Sequence, residues 1–383
     1  MTDRSDSRLS RRGFLQAAGG PLAAASLSSL TPPAAAQVPD VRLPELAGKQ
    51  VGFALVGLGS LAINQLMPAF ARCRQAKLVG FVSGRPEKAK HLAQVYGVDP
   101  KNIYTYDTYD RLADNPAIDV IYVVLPNNMH AEYTIRALKA GKHVLCEKPM
   151  ANTPQDCEQM IAAAKAANRK LMIGYRVRYE PYNQALIAYA RETADAGPTR
   201  IILADAGFNI GDPKQWRLRK QMAGGGSLMD IGIYALNAAR YLTGEEPVAV
   251  NAMTHSTPND PRFVEVEENI TFQLRFPSGI LANCASSYGV NFNRIRVSKP
   301  RGSAELDPAS SYTGLRMRVV RGGAIEERIL PQRDHFALEM DHLAGCILKD
   351  TEPLTPGEEG LKDLRVMMAI YEAARSGRTI TLS

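Results

Sequence analysis

Lys148, Asp230 and Tyr234 are the residues of this 383-residue chain whose types and positions could do acid–base chemistry together. Lys148 stands in Glu147-Lys148-Pro149, directly after the short apolar run His143-Val-Leu-Cys146. A strand end would carry its ammonium, and the proline would stiffen the turn that aims it. Asp230 and Tyr234 are four apart in a helical stretch, so they share a face. A tyrosine with a pKa near ~10 is a poor base at neutral pH. A lysine cation beside it favours the phenolate, which could take the proton of a hydroxyl while Asp230 holds the lysine in place. A plainer reading exists: Ser227 as N-cap with Asp230 at the third helical position, and Tyr234 half in the core. Spacing alone favours the plainer one.

Such a trio needs a scaffold, and the stretch from Val51 provides one. Val51-Gly-Phe-Ala-Leu-Val56 is an apolar strand, Gly57-Leu58-Gly59-Ser60-Leu61-Ala62 a tight turn, and Ile63, Leu66, Met67 and Phe70 mark one face of a following helix. In a mononucleotide-binding unit the first glycine permits the turn and the second lets backbone N–H groups approach a pyrophosphate. A small third residue lets helix pack on strand, and the phosphates lie at the helix N-terminus. Alone this motif is weak; the second strand, Leu78 to Val82, gives it context. An acidic residue at the end of that strand would bind a free ribose 2′-hydroxyl, but here it ends Ser83-Gly84-Arg85, with Lys88 one turn on. Two cations and a hydroxyl suit a 2′-phosphate, hence NADP.

Bulk composition excludes other classes. Hydrophobic content of 45% and charge of 22% are those of an ordinary globular protein. The net charge of +7 includes +2 from residues 1–36, and no basic run with interleaved aromatics follows, which argues against nucleic acid. Cys73, Cys146, Cys157, Cys284 and Cys346 lack metal-ligand spacing and read as buried small hydrophobes, with no metal site expected.

Residues 1–36 read as an address. Ser10-Arg11-Arg12-Gly13-Phe14-Leu15-Gln16 resembles the twin-arginine export motif, a short Ala/Ser/Gly/Leu stretch follows, and Ala34-Ala35-Ala36 offers a cleavage site. The expectation is export in the folded state to the periplasm, with no membrane span in the mature protein. Residues 37–48 read as an arm or linker. From 49 to 176 strands and helices alternate, as in a parallel dinucleotide-binding sheet. The strand Ile118 to Leu125 ends in Pro126-Asn127-Asn128-Met129-His130. Ligands in such sheets lie beyond the carboxyl ends of strands, which makes Leu125, Asn127 and His130 candidate cofactor contacts. Asn127 as a turn former and His130 as a helix N-terminal residue are equally open. Residues 177–383 carry strand after strand, among them Val264 to Phe276, and end in helices. The fold class is therefore α/β: a Rossmann domain and a C-terminal α/β domain on a large, mostly antiparallel open-faced sheet.

Taken together, the glycine turn, Ser83-Gly84-Arg85, Leu125-Pro-Asn127, Glu147-Lys148-Pro149, Gly174-Tyr-Arg176, Trp216-Arg217-Leu-Arg219 and Gly224-Gly-Gly-Ser-Leu-Met-Asp230-Ile-Gly-Ile-Tyr234 resemble the glucose-fructose oxidoreductase and inositol dehydrogenase family. The resemblance covers residues 49–383 and is nearest to the branch containing glucose-fructose and aldose-aldose oxidoreductases. It implies tightly held NADP, Lys148 as the catalytic lysine, and Asp230 and Tyr234 at a sugar; many inositol dehydrogenases carry histidine in place of Tyr234. It extends the cofactor contacts to Tyr106, Glu147, Arg176, Trp216 and Arg217, and less firmly to Tyr312. Arg85 departs from the branch, where a small or neutral residue stands. The implied activity is oxidation of an aldose at C1 to an aldonolactone and reduction of a second sugar to an alditol, in a ping-pong cycle. Sugars are the implied partners, and the open sheet is a candidate homodimer face. An exported NAD(P)-dependent glycosidase and a nucleotide-holding sensor are the rival readings.

Overall fold

Six parallel strands carry the glycine turn. They are β1 (Val51–Val56), β2 (Ala76–Val82), β3 (Ile103–Tyr104), β4 (Val120–Val123), β5 (His143–Glu147) and β6 (Leu171–Gly174), in the spatial order β3-β2-β1-β4-β5-β6. The computed structural model describes residues 48–382, so the export motif and the arm before residue 48 lie outside the described residues. β1 and β4 are buried along their whole length, as strands covered on both faces must be. Helices α1 (Met67–Phe70), α2 (Pro86–Tyr96), α3 (His130–Lys139) and α4 (Pro154–Ala167) connect the strands. The helix after the glycine turn is not regular: residues Ala62–Leu66 form a π-turn before α1, next to Pro68, which cannot donate a helical hydrogen bond. Leu66, Met67 and Phe70 are buried there, whereas Ile63 is only half-buried.

The second sheet has nine strands in the order β14-β13-β12-β11-β7-β10-β9-β8-β15. They are β7 (Ile201–Gly207), β8 (Ala249–His255), β9 (Asn269–Arg275), β10 (Leu281–Ser287), β11 (Phe292–Lys299), β12 (Gly302–Leu306), β13 (Met317–Arg321), β14 (Ala324–Arg328) and β15 (Ile380–Thr381). Every pair is antiparallel except β7 with β10. The strand expected from Val264 begins only at Asn269, because Val264 points to solvent and Glu267 and Glu268 turn their carboxylates inward to backbone and hydroxyl donors.

Helices α5 (Pro181–Arg191), α7 (Ile233–Thr243) and α9 (Gly357–Ser376) lie against this sheet, and the short α6 (Lys220–Ala223) precedes the glycine run. Arg240 on α7 donates to the buried Asp363 on α9 at 2.5 Å and to the half-exposed Glu246 at 2.6 Å, an ion cluster that fixes the helix carrying Tyr234. α8 (His335–Lys349) returns to the first sheet: Phe336, Ala337, Met340 and Leu343 pack with Phe53, Leu55 and Tyr122. All five cysteines are buried and unpaired. Among the described residues no helix is long and apolar enough to cross a membrane, and no group of three or more His, Cys, Asp or Glu could hold a metal ion.

Candidate active site

A cleft of about 1780 Å³ runs from the glycine turn to the second sheet. Its floor is Gly57 to Leu61. Gly57 has φ of +93°, and a Cβ there would lie 2.3 Å from the carbonyl oxygen of Val124. At Gly59 an added Cβ would meet nothing within 4 Å: it would project into open space, the space that a bound pyrophosphate needs. The far end is lined by Ser83, Gly84, Arg85, Lys88 and Tyr106. Arg85 Nα–H donates to Ser83 Oγ at 3.1 Å, and Lys88 Nζ donates to the Leu58 carbonyl at 2.6 Å, which draws the cation back over the glycine turn. No carboxylate stands there, so the residues present fit a dinucleotide with a 2′-phosphate.

Toward the middle of the cleft stand Leu125, Asn127, Glu147, Lys148, Arg176, Trp216, Arg217, Asp230, Tyr234 and Tyr312, all of them read from the sequence. Lys148 Nζ, carried on the end of β5, donates to the backbone carbonyl of Asp230 at 2.6 Å and to its Oδ1 at 3.2 Å. Asp230 Oδ2 accepts from Arg217 Nε at 2.9 Å and from the Tyr288 hydroxyl at 3.1 Å. Burial alone would raise the Asp230 pKa, but the Arg217 and Lys148 charges prevail and hold it at about 2. Lys148 loses some basicity to burial, but the electrostatics of Tyr234, Asp230 and Glu147 outweigh that loss and its pKa is raised, so it stays an ammonium. Lys148 Nζ lies 4.8 Å from the centre of the Tyr234 ring, with the Arg176 guanidinium 5.2 Å from the same ring. Arg176 is itself fixed by the Ser310 carbonyl and by Nδ1 of His335, whose pKa is pushed down to about 3 by burial and by the Arg176 charge.

The capping pattern expected at Ser227 does not form. Ser227 Oγ meets Ser286 Oγ at 3.1 Å, and the Gly226 and Leu228 N–H groups donate to the Glu267 carboxylate at 2.8 and 2.9 Å. A carboxylate from outside the helix caps it, which leaves Asp230 free for Lys148. Residues Leu228–Gly232 form a π-turn, so Asp230 and Tyr234 do not sit on one regular α-helix, yet both reach the cleft. His130 is the sequence candidate that does not line the cleft: it is fully buried, with Nδ1 2.8 Å from the Pro149 carbonyl and Nε2 2.8 Å from that of Leu125. It braces two cleft-lining turns from behind. Asn127 both lines the cleft and donates to the Ala223 carbonyl at 2.9 Å, tying the first half to the loop before the glycine run. Tyr288 is one functional residue that sequence reading missed; it ends an alternating strand run and looks like core.

Because Asp230 is held below its ordinary 3.8, its stabilising contribution is present above that value and is lost as the pH falls through about 2. Asp230→Asn is expected to lower stability at neutral pH by on the order of 2 kcal/mol and to flatten that acid limb. Urea midpoints measured from neutral to acid pH read both; parallel curves for wild type and variant refute the ion cluster as drawn.

A parallel sheet in the 3-2-1-4-5-6 order, a glycine turn opening on the cleft, and a charged lysine and a tyrosine facing the same space define a nicotinamide-dinucleotide-dependent oxidoreductase. The oxidoreductase family with an NAD-binding Rossmann fold matches residues 51–175, and the GFO/IDH/MocA C-terminal domain matches residues 192–305. The chain belongs to this GFO/IDH/MocA family. It is 32% identical over 342 residues to D-xylose 1-dehydrogenase [NADP(+)] of Haloarcula marismortui, covering 87% of this chain and 93% of that one. The crystal structure of aldose-aldose oxidoreductase from Caulobacter crescentus complexed with glycerol is 56% identical, with a TM-score of 0.86 over 87% of this chain and 100% of that one. A 3-ketoreductase from Actinomadura kijaniata in complex with NADP and TDP-benzene shares the fold at 22% identity, with a TM-score of 0.75 over 85% of this chain and 98% of that one.

Proposed function

We propose that the protein is an NADP-dependent sugar oxidoreductase that keeps its cofactor and works in two half-reactions. An aldose is oxidised at C1 to an aldonolactone, and a second sugar is then reduced to an alditol. The observation that carries this reading is the meeting of Lys148 from the first sheet with Asp230 and Tyr234 from the second half over one cleft. The 56% identical aldose-aldose oxidoreductase supports the substrate class. NADP supplies the hydride acceptor. Lys148 spends two of its three N–H donors on Asp230, which leaves the third for the sugar hydroxyl oxygen. Tyr234 would take the hydroxyl proton of the sugar. Asp230, ionised and gripped by Arg217 and Tyr288, keeps the ammonium in register. Ser10 to Gln16 and the alanine run after it support export to the periplasm, where no free NADP pool exists to exchange with the bound one. A second copy of the chain suits the open sheet face, where Ile201 pairs with Leu281 and Met253 is exposed; a monomer in sedimentation equilibrium removes that partner.

The test is the absorbance of the protein as purified, with no cofactor added. A bound nicotinamide that is reduced on adding an aldose and reoxidised on adding a second sugar is the expected result. Release of an aglycone without that cycle favours a glycosidase, and an unresponsive nucleotide band a sensor. Either sinks the oxidoreductase reading.

A further inference from the structure

Behind Lys148 lies a cluster that the chemistry above does not use. Tyr122 on β4 and Glu339 on α8 are fully buried, and Glu147 at the end of β5 is nearly so. The Tyr122 hydroxyl lies 2.8 Å from Glu147 Oε1 and 3.2 Å from Glu339 Oε2. A phenol has one proton to donate, so it cannot satisfy two ionised carboxylates at once. Like charges this close cannot both persist in a buried site, and one carboxyl must carry a proton. Glu339 is the one. Its other oxygen has no hydrogen-bond partner among the described residues, and burial together with Glu147 pushes its pKa well up. Glu147 is also raised by burial, but Lys148, Tyr122 and Arg176 counter this. The groups facing the pair from the packed elements are Lys148 just after β5, Arg176 and Tyr179 after β6, Tyr122 on β4, and Tyr312 in the loop before β13. Only Glu147 of the two carboxylates reaches the cleft, where it lines the same space as Tyr234.

We infer that Glu147, backed by Tyr122 and protonated Glu339, stores the proton released in the first half-reaction and returns it in the second. The inference rests on the two-step reading above. In the first step the C1–H and O–H bonds of the sugar break. The hydride with its two electrons goes to the nicotinamide, C1 becomes the lactone carbonyl, and the hydroxyl proton passes through Tyr234 to the Glu147 carboxylate. In the second step the acceptor carbonyl takes the hydride at carbon and that proton at oxygen, so the cycle needs no proton from solvent. Glu147 is catalytic in this scheme, and Tyr122 and Glu339 are positioning residues.

The holoenzyme as purified is mixed with excess aldose in weakly buffered solution containing a pH indicator. Reduction of the bound nicotinamide and acidification are recorded together, before the lactone hydrolyses. The expected result is cofactor reduction without matching proton release in the wild type. Glu147→Gln is expected to release one proton for each cofactor it reduces. In the proton count alone Glu339→Gln is expected to follow the wild type, because a neutral amide replaces a neutral acid. Infrared spectra of the resting protein give a second readout: a buried protonated-carboxyl band is present in the wild type and in Glu147→Gln and missing in Glu339→Gln. Full proton release by the wild type, or a band that survives in Glu339→Gln, overturns the inference while leaving the sugar chemistry standing. Failure of every aldose to reduce the bound nicotinamide overturns both. If Glu147→Gln does not fold, the wild-type proton count and the Glu339→Gln spectrum still decide.

Discussion

Lys148→Ala is expected to keep its bound nucleotide and to lose turnover by roughly 100- to 1,000-fold, the range for removing one preorganised donor at a reacting oxygen. The separation of binding from turnover follows from where the contacts lie. The nucleotide's floor and far end are built by Gly57 to Leu61 and by Ser83 to Lys88, none of which touches the Lys148 ammonium. Folding should survive as well, because Asp230 keeps Arg217 at 2.9 Å and Tyr288 at 3.1 Å when Lys148 is gone. What is lost is the one cation directed at the sugar oxygen. Nucleotide content by absorbance and single-turnover reduction of the cofactor separate the two effects. A variant with full activity removes Lys148 from the mechanism; a variant that sheds its nucleotide makes it a binding residue instead.

The first half of the fold was legible because local chemistry and tertiary structure agree there. α4 runs from Pro154 to Ala167 as its sequence predicts, since Thr153 caps the Asp156 N–H, proline suits the first turn and Asn168 closes it at φ +48°. The same agreement located the glycine turn and the strand that delivers Lys148. Legibility failed where a distant residue replaced a local partner. Ser227 and Asp230 form a convincing capping pattern, but Glu267, some 40 positions away, took the N–H groups. No local pattern encodes that exchange, yet it is what frees Asp230 for catalysis. β14 went unread for another reason: Ala324, Ile325, Glu326 and Glu327 are all exposed on an edge strand, so no apolar alternation marks them.

Site residues followed the same rule. Those on turns at strand ends, Lys148 and Leu125, were found because sheet topology points such positions at the ligand, and Arg176, after the last strand, came from the family resemblance. His130 was drawn in by the same argument and is excluded by one helical turn of geometry: as the first residue of α3 it faces back to the Leu125 and Pro149 carbonyls. Tyr122, Tyr288 and Glu339 lie inside apolar or amphipathic runs, where a polar tip is indistinguishable from packing until its neighbours are known. Two of them surround Glu147 and one grips Asp230, so the unread residues are those that hold the read ones in place.

Tyr234→Phe is the variant that isolates proton transfer. The ring stays, so Lys148 at 4.8 Å and Arg176 at 5.2 Å keep the aromatic face they pack on, and only the hydroxyl is removed. Nucleotide binding and folding are therefore expected to be unchanged, with α7 still fixed through Arg240 and Asp363. Turnover is expected to fall roughly 100- to 10,000-fold, because a general base normally contributes a factor of that size. The loss should appear equally in reduction of the cofactor by an aldose and in its reoxidation by a second sugar, since one group serves both directions. A variant slowed in only one half-reaction would mean that another residue handles the proton in the other. An unslowed variant would reduce Tyr234 to a packing residue and assign the sugar's hydroxyl proton to another group in the cleft. Stopped-flow absorbance of the bound nicotinamide, run with each sugar separately, distinguishes these outcomes.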